Sequence, residues 1–187
     1  MGKRVFCIPL FVFVMASIEE VYKVVHQIAM GIESECEACL LDNGNIVEGL
    51  VREQLYAGQN GKGRLLNPTY ENDPFFEEPG RWFHRSKQYK HWKAKITPPI
   101  ESEVLFLPPR PLEVPNLFIT GTFHNSIMAR PVAGGLSVDT IGFKDGNDIK
   151  GKYGEDIFVL GDEGKEYFAK HILRPYLERF FENCGYR

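Results

Sequence analysis

The stretch Thr120-Gly-Thr-Phe-His-Asn-Ser-Ile-Met-Ala-Arg-Pro-Val-Ala-Gly-Gly-Leu-Ser-Val-Asp-Thr-Ile141 decides the fold. Its first eight residues combine a glycine free to turn with Ser126, whose hydroxyl can bond a turn carbonyl, and with Phe123 and Ile127, spaced to bury on one face. Residues 126–132 and 136–141 then read as two short strands joined at Ala133-Gly134-Gly135, a hairpin signal. Downstream, residues 163–183 carry Tyr167, Phe168, Ile172, Leu173, Tyr176, Leu177 and Phe180 at helical spacing, with Pro175 as an expected kink and Gly185 as a stop.

Upstream, Ile18, Val21, Tyr22, Val25, Ile28, Ala29 and Ile32 follow helical spacing over residues 18–41, and Asp42-Asn43-Gly44-Asn45 stops that helix. Ile46, Val47, Leu50, Val51, Leu55 and Tyr56 repeat the pattern up to Gly58, so two helices form either a hairpin or one kinked rod. Residues 59–115 form a loop-rich insert. Within it, residues 86–96 predict a short helix with Tyr89, Trp92 and Ile96 on one side, and Pro108, Pro109, Pro111 and Pro115 an extended strap. The expected class is α+β: N-terminal helices, a proline-rich middle insert, and a small antiparallel sheet with a β-hairpin packed by a C-terminal helix, in one domain over residues 17–187.

Composition excludes several classes. With 43% hydrophobic and 25% charged residues, the 187-residue chain is neither disordered nor fibrous. A net charge of −3 gives no global attraction to nucleic acid, and four cysteines are too few for a disulfide scaffold. Residues 1–16 hold an apolar run after Lys3 and Arg4, too short to span a bilayer. An over-long start before Met15, a signal peptide and a hydrophobic arm all remain open readings.

The motifs of chemistry are weak. Cys36-Glu-Ala-Cys39 falls late in a helix, where no N-terminal dipole lowers a thiol pKa, and Cys7 and Cys184 do not complete a zinc set. Residues 58–63 lack the ending of a phosphate loop, and Glu71, Asp73, Glu77 and Glu78 read as a solvated acidic loop. The five histidines are scattered, so no catalytic residue, metal or cofactor is expected. A basic and aromatic stretch over residues 81–95 stands out, with Arg81, Arg85, Lys87, Lys90, Lys93 and Lys95 among Trp82, Phe83, Tyr89 and Trp92. It suits either an acidic partner such as nucleic acid or an amphipathic element whose lysines form the solvated side.

Thr120, Gly121, Phe123, Ser126 and Ile127 resemble the T-G-x-L-x-x-S-I signature of the tail-completion and head-tail connector proteins of long-tailed bacteriophages, with Phe123 in the Leu place. The order of elements is similar too: a hairpin, an aromatic-Gly motif at Lys152-Tyr153-Gly154-Glu155 approaching a neighbouring strand, then a terminal helix. Arg174-Pro175-Tyr176 echoes the arginine-proline-phenylalanine near the end of such proteins, and residues 59–115 look like proteins of Bacteroidales phages and prophages. The resemblance implies a non-enzymatic virion protein that oligomerises in the neck against portal, connector or tail-tube proteins. It would be made in host cytoplasm, lie close to DNA and have no membrane partner. A nucleic-acid-associated protein using residues 81–95, or an exported bacterial binding protein, are the alternatives.

Overall fold

The computed structural model describes residues 17–186, and the apolar segment 1–16 lies outside the described residues. Helix α1 (Ile18–Asp42) begins at a capping box in which Ser17 Oγ accepts from Glu20 N and the Glu20 carboxylate accepts from Ser17 N. After the single residue Asn43, α2 (Gly44–Tyr56) follows. The two do not form a hairpin, because α1 packs on the C-terminal helix and the second strand while α2 packs on the first strand. They form a bent rod.

The insert carries a 3₁₀ turn (Pro74–Glu77) and α3 (Ser86–Ile96), and its other segments are loop apart from one bridge between Gln59 and Leu65. These loops are not solvent-facing excursions: Leu66, Tyr70, Phe76, Leu107 and Val114 are all buried. A one-turn helix α4 (Thr122–Ser126) leads into β1 (Ile127–Val132), which pairs antiparallel with β2 (Gly135–Thr140), Ile127 opposite Thr140 and Val132 opposite Gly135. The hairpin is therefore as expected, with Gly134 at φ 79° in its two-residue turn.

Beyond the hairpin the sequence reading needs correction. The aromatic-Gly motif meets no strand. Tyr153 instead ends a helix, α5 (Gly146–Tyr153), and Gly154 turns the chain into a 3₁₀ segment (Glu155–Phe158). The terminal helical segment starts as α6 (Asp162–Phe168) and ends as α7 (Arg174–Asn183). Between them Ala169–Leu173 is a π turn in which Arg174 N–H reaches Ala169 O, five residues back. Pro175 has no N–H to offer, and the widened turn absorbs that loss.

Helix α2 is the hub of the α+β core. Val51 and Leu55 face one apolar cluster with Leu66, Val114, Phe123, Ile127, Ile157 and Phe158; Val47 and Leu50 face another with Cys39 and Phe168. Its polar residues serve loop and strand backbone. Glu53 Oε1 accepts from Val104 N (2.7 Å) and Leu105 N (2.9 Å), and Gln54 bonds Val159 O (3.1 Å) and Gly161 N (2.8 Å). A helix that donates apolar contacts on two sides and side-chain partners to unpaired backbone ties irregular segments to the core at low cost.

Candidate functional site

The Thr120–Ile127 stretch is built around Gly121, which sits at φ 84° as the N-cap of α4. A side chain there would be strained by that backbone and would meet the Phe118 ring at 3.1 Å. The turn points Phe123 inward against Phe143 (5.4 Å between centroids) and Phe158 (6.2 Å), and Ile127 is fully buried one turn later. Ser126 Oγ donates to Phe123 O at 2.7 Å, and Thr120 and Thr122 share a hydroxyl bond of 2.8 Å on the exposed side. The five residues anticipated from the sequence are thus brought together, as a turn that seats a hairpin.

Residues that the sequence did not single out hold this turn in place. Arg52 of α2 donates through Nε to His124 O (2.8 Å) and through its second terminal nitrogen to Ile127 O (2.5 Å) and Glu48 (3.0 Å). Glu48 accepts in turn from Ala129 N at 2.9 Å. On a helix wheel Glu48 and Arg52 look like an ordinary surface pair, and only the tertiary fold shows that they cap the outer edge of β1. His124 is 3% exposed, its Nε2 lies 2.8 Å from Asn116 O, and burial pushes its pKa down to about 4. It is a neutral imidazole at physiological pH.

The basic stretch divides. Arg81, Arg85, Lys87 and Lys95 are exposed, Arg81 stacking over Trp82 at 4.9 Å. Lys90 is drawn to Glu71 at 3.1 Å. Lys93 contradicts the solvated-face reading: it is 1% exposed and donates to Thr97 Oγ1 (2.8 Å), Asn116 Oδ1 (2.7 Å) and Phe118 O. Three donors meet three oxygens, so the ammonium is fully used as a staple between α3 and the strand entry. Burial and the nearby Arg110 guanidinium lower its pKa to about 7. Arg110 is itself buried, donating to Val114 O (2.8 Å) and Thr97 O (2.9 Å), and burial lowers its pKa as well. The two buried basic groups are thus met by neutral oxygens, although the Arg110 Nε is left without a partner. Arg110 thereby links the proline strap at Val114 to the end of α3 at Thr97.

Beside Gly121 opens a cavity of about 450 Å³, walled by Tyr70, Phe76, Tyr89, Phe143 and Tyr153. The Asp73–Lys152 ion pair (2.5 and 2.6 Å) forms one side. Asp73 is thereby removed from the expected solvated acidic loop, leaving Glu71, Glu77 and Glu78 exposed. Burial raises all three tyrosines above their ordinary range, which leaves neutral phenols on an aromatic wall. Such a surface accepts apolar groups; its charged members are already paired.

Of the Cys36–Cys39 pair, Cys39 is fully buried and burial raises its thiol pKa. Among the described residues no group of three His, Cys, Asp or Glu side chains is placed to hold a metal ion, and no helix is long and apolar enough to cross a membrane. No protein-family model, curated protein or solved structure matches the chain.

Proposed function

We propose that this chain is a structural assembly protein of the bacteriophage neck, a head-tail connector or tail-completion component that works through its contacts with neighbours rather than through catalysis. The observation that supports the reading is the way residues 120–127 are used: a left-handed glycine turn, two buried anchors and a hydroxyl bond deliver a hairpin that packs on α1 and α2, not on the terminal helix that the sequence suggested. The succession of turn, hairpin and terminal helix is the one the resemblance implies, while the aromatic-Gly motif between them departs from it by ending a helix. The surface is suited to contact as well. Phe106, just before the strap, is 73% exposed, and Met128 and Val132 stand out from β1.

The test is co-assembly. Purified chain is mixed with the portal and tail-tube rings of its own genome and viewed by electron microscopy. Density for this chain as an oligomer at the junction is expected, and failure of the folded chain to bind either ring overturns the proposal. Gly121→Val separates the turn from the rest: strain at φ 84° and the clash with Phe118 should lower stability by about 2 kcal/mol and impair incorporation. Normal incorporation by that variant would remove the turn from the argument.

A further inference from the structure

The cavity beside Gly121 has the construction of a binding site. Its volume of about 450 Å³ is far larger than a packing void and falls within the ~300–1,000 Å³ of small-molecule sites. The aromatic wall is fixed edge to face: Tyr89 meets Tyr70 at 5.1 Å and Phe76 at 5.3 Å between centroids. Trp82 and Trp92, which do not line the cavity, brace Tyr89 at 5.2 and 5.3 Å. Rings held by this many neighbours have little freedom left to lose, so a flat guest meets a surface already in place.

One group on the wall has hydrogen-bonding capacity that the fold does not use. Tyr70 is 4% exposed, and its hydroxyl is buried with no partner among the described residues. The charged groups on the wall are engaged, Asp73 with Lys152, and Lys93 with Thr97, Asn116 and Phe118 O. Tyr89 and Tyr153 are only partly buried, where water can serve them. The Tyr70 hydroxyl therefore carries a desolvation penalty that nothing in the fold offsets. Burial holds this phenol above its ordinary range, so it is an O–H donor at physiological pH.

The surroundings decide the sign of the group that this donor suits. Lys93 lines the cavity and Arg110 acts on the Tyr70 phenol from close by; both basic groups are met by neutral oxygens alone, and Arg110 Nε has no partner. Asp73, the carboxylate of the wall, is neutralised by Lys152 at 2.5 Å. The local balance is positive, which favours an acceptor carrying negative charge over an ammonium group.

We propose that this cavity binds a flat aromatic carboxylate of about naphthalene size, its rings against the aromatic wall and one carboxylate oxygen accepting from Tyr70 Oη. The inference is independent of the neck proposal, since it concerns a small molecule and needs no assembly partner.

The probe is 2-naphthoate, titrated into the full chain and followed by amide shifts in two-dimensional NMR. Saturable binding is expected, with the largest shifts at Gly121, Thr122 and Tyr153, which line the cavity. Tyr70→Phe removes a hydroxyl that makes no bond in the fold, so thermal stability should not fall. Naphthoate affinity should nonetheless drop about tenfold in that variant, the loss of one charge-assisted hydrogen bond. The cationic analogue 2-naphthylmethylammonium should bind the unmodified chain more weakly than naphthoate does. Naphthoate that does not saturate, shifts that fall away from the cavity, equal affinity for the cationic analogue, or unchanged affinity in Tyr70→Phe would each overturn the proposal. A marked loss of stability in Tyr70→Phe would overturn it too, because the hydroxyl would then already serve the fold through a bound water.

Discussion

His124 shows how a single buried group sets a pH limit on the whole chain. In the unfolded chain it titrates near 6.5, in the fold near 4. Between those values the unfolded state binds a proton that the folded state refuses, so stability falls as pH drops from about 6.5 to about 4, by up to about 3 kcal/mol, and is flat on either side of that window. Lys93 has the same sign at higher pH, with stability rising from about pH 7 towards 10.5. Urea denaturation at pH 7, 5.5 and 4.5 should show the acid loss, and His124→Gln should flatten most of it while lowering stability at pH 7 through the altered contact with Asn116. An unchanged acid slope in that variant would mean that another group carries it. None of this was legible beforehand. His124 and Lys93 look like any polar residue in a turn or an amphipathic helix, and their burial follows from the insert folding back over α3 and the strand entry.

At the level of elements, the hairpin is held asymmetrically. Pro131 offers no N–H, and Glu48 and Arg52 occupy Ala129 N and Ile127 O, so the outer side of β1 is closed by a helix. Arg52→Ala should therefore cost about 2 kcal/mol, the penalty of leaving His124 O and Ile127 O without their donor, and should accelerate amide exchange in β1 more than in α1. Uniform acceleration across the chain would argue for global loss instead. The regular elements were the readable part: α1, α2, α3, the hairpin and the terminal helix each announce themselves by period or by glycine turn. Residues 142–162 were not, because α5 and the 3₁₀ segment are too short for a period to emerge and owe their shape to Gly154 and to contacts with Phe123 and Lys62 made elsewhere in the sequence.

For the molecule as a whole, the α+β reading holds, while the insert changes character. It was legible as loop from its prolines and glycines, but its role was hidden, because loops that supply Leu66, Tyr70, Phe76 and Val114 to the interior are recognised only by what they cover. The candidate site shares this split. Its five signature residues could be picked out by type and spacing, whereas its clamp and its aromatic cavity are assembled from α2, the insert and α5. The one-sided attachment of α1 has a mechanical corollary. A helix braced along one flank opens first where its side chains are most exposed, so trypsin should cut after Lys23 before it cuts after Arg52 in α2.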